Sequence, residues 1–142
     1  MLVKDLMNKN VITIDTDASI RDAILVMSDN DVGCVIVTKN DRVVGILTER
    51  DIIRCLAKPA GYIDIDRNRV ESVMTRYVIS VTPNTKIEKA IQLMKTNKIK
   101  KLPVLNDSSK LLGIITESDI CMAEPKIIER ISELLSKNLK EI

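Results

Sequence analysis

Gly45-Ile46-Leu47-Thr48-Glu49-Arg50-Asp51-Ile52 recurs as Gly113-Ile114-Ile115-Thr116-Glu117-Ser118-Asp119-Ile120. Each stretch opens as a continuous apolar run, suited to a buried strand, and then places a hydroxyl three residues before a carboxylate, the pattern of a helix start. Working outward, an offset of 67 aligns Val3, Met7, Val11, Ile12, Ile20, Ala23, Ile24, Met27, Asn30 and Val37 with Val70, Met74, Val78, Ile79, Ile87, Ala90, Ile91, Met94, Asn97 and Val104, identical at every pair. One extra residue within Asn106 to Lys110 moves the offset to 68 for the closing stretch. A polar turn is where a duplicated fold tolerates an insertion.

Each copy reads as a β-α-β-β-α unit. Val11 to Ile14 and Val78 to Val81 are β-branched runs that predict strands. Ile20, Ala23, Ile24 and Met27, and likewise Ile87, Ala90, Ile91 and Met94, fall at i, i+3, i+4 and i+7, one apolar stripe on a helix. Ser19 with Asp22, and Thr85 with Glu88, have capping-box spacing. Cys34 to Val37 and Val43 to Leu47, and their counterparts Leu102 to Leu105 and Leu111 to Ile115, flank polar breaks and predict hairpins. Final helices follow over about Glu49 to Ala57 and Glu117 to Ala123, and the strand-helix-strand part predicts a right-handed parallel crossover.

The expected fold class is therefore α/β (α+β), divided into a first unit over 1–57, a surface linker over 58–69, a second unit over 70–123 and an amphipathic helix over 124–142. In that last segment Ile127, Ile128, Ile131, Leu134, Leu135, Leu139 and Ile142 share a helical face, which must pack on the body or on another subunit.

A chain of 142 residues, 45% apolar and 30% charged, buries enough surface to fold without disulfides or metal. Its net charge of +2, from 22 basic and 20 acidic residues spread along the chain, shows no stripe for duplex DNA, and the cluster Lys95, Lys98, Lys100 and Lys101 lacks the aromatic platforms of single-strand binders. Cys34, Cys55 and Cys121 lie among aliphatic residues without C-x-x-C spacing, which fits core packing in a reducing cytoplasm. Histidine is absent. With it go the commonest general base and the usual Ser-His and Cys-His nucleophile systems. There is no apolar stretch of about 20 residues and no glycine-rich phosphate loop, so the sequence points away from membrane spans and from enzymes.

Candidate chemistry sits in the repeated closing motif. A hydroxyl and free N–H groups at a helix start suit a phosphate, and a nearby carboxylate can accept two hydrogen bonds from a vicinal diol such as ribose. The same spacing, taken alone, is first of all a capping box, and a duplication would copy it whether or not it bound anything.

Together, the two G-h-h-T-x-x-D endings, the openings Leu6-Met7 and Val73-Met74, the Ile-x-x-Ala-Ile helix and Lys101-Leu102-Pro103-Val104 resemble the paired CBS (cystathionine-β-synthase) domains, or Bateman module. The resemblance spans Val3 to Ile120. It implies two units packed about a pseudo-twofold axis, with two clefts for adenosine-containing ligands such as AMP, ADP, ATP or S-adenosylmethionine. On that basis Asp119 and Thr116 anchor one cleft, and Asp51 and Thr48 the other, each aspartate holding ribose and each threonine facing phosphate. Val32 and Gly33 are implied against adenine in the first cleft, Ile99 and Lys100 in the second. Lys100 and Lys101 are implied at the phosphates, where the first copy has Gly33 and Cys34, which ranks the Asp119 cleft ahead. The resemblance implies a non-catalytic regulatory homodimer, without a cofactor of its own. The alternatives are a purely structural dimerisation or scaffold protein with vestigial clefts, and an S-adenosylmethionine sensor.

Overall fold

The computed structural model describes residues 1–123 and 125–140, and of 125–128, 130 and 138–140 it describes the backbone alone. The chain forms two compact units, one of Val11–Val78 and one joining Met1–Asn10 to Ile79–Ile142. Helix α1 (Val3–Leu6) thus belongs with the second copy, and the 3-10 turn Val70–Ser72 with the first. Repeat and packed unit are different divisions of this chain: the opening segment of each copy is built into the other copy's unit.

In the Val11–Val78 unit, β1 (Thr13–Asp15), α2 (Ile20–Asp29), β2 (Cys34–Lys39), β3 (Arg42–Thr48) and α3 (Glu49–Leu56) follow in the predicted order. β1 pairs parallel with β2 and β2 antiparallel with β3, giving the order β1-β2-β3. Asn40 and Asp41 both have positive φ, 52° and 63°, as a two-residue hairpin turn of the primed type demands. Ser19 caps α2 in a full capping box with Asp22. Ala23, Met27, Val35, Val37, Leu47, Ile52, Val70 and Met74 form the core. The segment after α3 is pinned to α2: Ile20 and Arg21 N–H groups donate to the Asn68 and Ile65 carbonyls, at 3.0 and 2.9 Å. Arg21 also pairs with Asp66, and that guanidinium holds the Asp66 carboxyl below its usual range.

The other unit contains α4 (Ile87–Asn97), β4 (Lys101–Leu105), β5 (Leu111–Thr116), α5 (Glu117–Cys121) and α6 (Pro125–Lys140). The hairpin forms as expected, and Asn106 Oδ1 accepts from the Ser108 and Lys110 N–H groups in the longer loop that holds the inserted residue. Two expectations change here. The strand expected over Val78 to Val81 is reduced to one parallel bridge, Val81 with Val104. In the first copy the Ile36 N–H donates to the Ile12 carbonyl at 3.1 Å; the residue aligned with Ile36 is Pro103, which has no N–H to donate. The capping box expected of Thr85 with Glu88 does not form either. Lys86 occupies the N-cap without a side-chain bond, because Thr85 Oγ1 accepts from the Thr82 N–H at 3.1 Å in the preceding turn.

Val3, fully buried, joins Ile87, Ala90, Ile91, Met94, Leu102, Val104, Ile115 and Ile120 in the core of this unit. Helix α6 packs on α4 and α5, with Ile131 in that core and Leu134 against it. The apolar terminal face is therefore spent within its own unit at Ile131 and Leu134, while Leu135 stays exposed. The side chains of Ile127, Ile128, Leu139 and Ile142 lie outside the described residues.

Candidate functional site

Both closing motifs adopt one geometry. The Thr48 Oγ1 accepts from the Asp51 N–H at 3.3 Å, and Asp51 Oδ2 accepts from the Thr48 N–H and hydroxyl, each at 3.0 Å. Thr116 Oγ1 accepts from the Asp119 N–H at 3.1 Å, and Asp119 Oδ2 from the Thr116 N–H at 2.9 Å. These are capping boxes in full, so the capping role is real in both copies. The first N–H of each helix is also engaged: Glu49 donates to the Gly33 carbonyl at 3.1 Å and Glu117 to that of Lys100 at 2.9 Å. Fewer helix-start donors remain for a phosphate than the motif alone suggests.

The boxes leave one carboxylate oxygen differently placed. Among the described residues no hydrogen bond reaches Asp119 Oδ1, whereas Asp51 Oδ1 has the Thr75 hydroxyl at 3.5 Å. All four motif side chains are half-buried. Within its unit, Asp119 stands beside Thr116, and Thr116 lies opposite Lys101 across the β4–β5 ladder, with exposed Lys100 and half-buried Ile99 just before it. The other unit brings Val32, Gly33 and Cys34 to the same places around Thr48, where Cys34 is the ladder partner.

Sequence reasoning missed the structural meaning of the motif glycine. Thr75 and Ile46 exchange backbone hydrogen bonds at 3.0 and 2.9 Å, as do Asn8 and Ile114 at 2.8 and 2.9 Å. The exchanged opening segments thus run directly over Gly45 and Gly113. A Cβ on Gly113 would lie 2.7 Å from the Asn8 carbonyl oxygen, and one on Gly45 would collide with Met74 Sδ. The Leu-Met and Val-Met openings, which the sequence offers only as part of a resemblance, are the partners for which these glycines make room. Thr75 itself carried no signal, since its aligned residue is Asn8.

Among the described residues no group of three or more His, Cys, Asp or Glu could hold a metal, and no helix is long and apolar enough to cross a membrane. Burial pushes the Cys55 and Cys121 thiols up, Cys121 further by Glu117, away from the thiolate that a nucleophile needs.

The chain is similar to known proteins in sequence and in fold. A stretch of 113 residues, 79% of the chain, is 34% identical to inosine-5'-monophosphate dehydrogenase of Methanocaldococcus jannaschii, but spans only 21% of that enzyme. The CBS domain pair of protein MJ0100, crystallised with 5'-methylthioadenosine and S-adenosyl-L-methionine, superposes with a TM-score of 0.75 at 28% identity, over 84% of this chain and 92% of that one. An AMP-bound CBS domain protein from Pyrobaculum aerophilum shares the fold over 94% of this chain and 99% of its own, with a TM-score of 0.80 at 23% identity. The CBS domain description matches twice, over residues 3–58 and 70–126, and the chain belongs to the CBS-domain family, of which it carries two copies.

Proposed function

We propose that this chain is a regulatory module, without a reaction of its own, that binds an adenosine-containing ligand and signals through self-association as a homodimer or through a partner in the cytoplasm. The observation that carries this reading is the Asp119 carboxylate, held through one oxygen while no hydrogen bond from a described residue reaches the other. Such a pre-oriented acceptor suits a vicinal diol, because its geometry is already set before the ligand arrives. The adenosine compounds bound by the MJ0100 pair support the ligand class.

Lys100 and Lys101 favour a phosphate-bearing ligand, AMP, ADP or ATP, over S-adenosylmethionine, whose sulfonium is cationic. Lys101, the ladder partner of Thr116, and Lys100 just before it can offer a phosphate charge-assisted bonds that Gly33 and Cys34 cannot. The Asp119 site ranks ahead of the Asp51 site for that reason, and because the Thr75 hydroxyl already approaches Asp51 Oδ1. Val32, Gly33 and Ile99 are assigned to the adenine ring. One observation favours the scaffold alternative: both Thr/Asp pairs are accounted for as helix caps.

Calorimetric titration of the wild-type chain with adenosine, AMP, ATP and S-adenosylmethionine decides between them. The proposal expects AMP or ATP to bind more tightly than S-adenosylmethionine. If no adenosine compound binds at millimolar concentration, the sites are vestigial and the scaffold reading takes its place.

A further inference from the structure

The duplication sets two copies of one motif on matched backbone with different charge around them. Thr48 lies opposite Cys34 across its ladder, and Gly33, just before, accepts from the Glu49 N–H at 3.1 Å. In the other unit Lys101 lies opposite Thr116, and Lys100 accepts from the Glu117 N–H at 2.9 Å. Two residues earlier each copy turns through an exposed left-handed residue, Asp31 with φ 50° and Lys98 with φ 54°. What differs is charge. Over these loops and the first turn of the next helix, Asp31, Glu49 and Asp51 against Arg50 leave −2, whereas Lys98, Lys100 and Lys101 against Glu117 and Asp119 leave +1. Among the described residues the salt bridges are Arg21 with Asp66 and Arg67 with Asp64, so none neutralises Asp31, Glu49 or Asp51. The Thr75 hydroxyl, 3.5 Å from Asp51 Oδ1, is a neutral donor on a long bond that a ligand hydroxyl can replace.

We propose that the Asp51 site selects an adenosine compound that carries positive charge and no phosphate, so that the chain senses two ligand classes, a nucleotide at Asp119 and a cationic adenosine at Asp51. The inference rests on the adenosine reading above and gives the second motif a ligand of its own. Ribose held by the aspartate is common to both classes. The charge beside it decides which class enters. A nucleotide phosphate brings close to two negative charges, which at the Asp51 site meet three carboxylates and one guanidinium. Juxtaposed like charges discriminate against the wrong ligand, while a sulfonium or ammonium group finds complementary charge there. Arg50, the one cation in this set, stands between Glu49 and Asp51 and is outnumbered.

Calorimetry of the full chain with AMP, S-adenosylmethionine and S-adenosylhomocysteine tests this, the last being the analogue that lacks the sulfonium charge. With the chain saturated by AMP, S-adenosylmethionine should still bind, one per chain, and about tenfold more tightly than S-adenosylhomocysteine, with the gap narrowing at high salt. Asp51→Ala should weaken S-adenosylmethionine more than AMP, and Asp119→Ala the reverse. Asp31→Lys combined with Gly33→Lys should remove the preference for the sulfonium compound. Lys98 already holds the left-handed backbone of Asp31, and Gly33 is not left-handed, so both lysines fit. Three results overturn the inference. AMP competes with S-adenosylmethionine for one site; or the two sulfur compounds bind alike; or Asp51→Ala binds S-adenosylmethionine as wild type does. In each of these the adenosine reading survives through AMP binding, whereas a wild-type chain that binds none of the three at millimolar concentration ends both.

Discussion

Asp119 has an observed role as a cap and a proposed one as a ribose ligand, and a substitution can separate them. As a cap it accepts the Thr116 N–H, and Asp119→Ala should cost about 1 kcal/mol of stability in urea unfolding. As a ribose ligand it should also lose about 1.5 to 3 kcal/mol of nucleotide affinity, roughly ten- to a hundredfold. Asp119→Asn keeps a capping oxygen but not the carboxylate, so it should retain most of the stability and still bind AMP poorly. If Asn binds AMP like wild type, the carboxylate holds no ribose. Asp51→Ala should affect the tightest site less, and Lys100→Ala with Lys101→Ala should weaken AMP far more than adenosine in calorimetry. The glycines offer a cleaner contrast, because they differ in what faces them. Gly113→Ala drives a Cβ against the Asn8 backbone oxygen and should cost about 1–3 kcal/mol; Gly45→Ala meets chiefly the flexible Met74 side chain and should cost less. Equal losses on denaturant unfolding would mean that both segments yield alike.

At the level of elements, the two copies of one unit show how a few residues change what forms. Ser19 starts α2 with a capping box, while the aligned Lys86 starts α4 without one. Lys86→Ser should therefore stabilise by about 0.5–1 kcal/mol, visible as a higher urea midpoint at unchanged slope. The sequence pointed instead to Thr85, which is one residue early and bonded elsewhere. Pattern reading located the helix but not the competing turn. Helix α6 is the element with the largest consequence: Ile131→Ala should cost about 2–5 kcal/mol, since its side chain is buried among Ile91, Met94 and Ile120. A near-neutral result would place α6 outside that core.

At the scale of the whole molecule, the exchange of opening segments makes a specific demand on a truncation. Deleting Met1–Asn10 removes buried Val3, the Val3 and Lys4 N–H donations to the Thr85 and Pro83 carbonyls, and the Asn8–Ile114 pair. Amide hydrogen exchange should rise in α4, β4 and β5 while α2 and β2 keep their protection. Loss of protection in α2 and β2 instead would contradict the exchange. The duplication, the order β-α-β-β-α of the first copy, both hairpins, the helix stripes and the Thr/Asp motif were all legible in the chain, because they rest on contacts close in sequence and on periodicities of two and 3.6. Which unit each opening segment completes was not legible, since Met74 against Gly45 and Met7 against Gly113 meet across tens of residues and leave no local pattern. Nor was the fate of the apolar helical faces. Sequence marks α2 and α6 alike as amphipathic, and only the packed structure shows that α6 closes the groove between α4 and α5 while its duplicate between α2 and α3, beside an exposed Ile53, stays open, because burial is a property of what the chain brings alongside and not of the stripe itself.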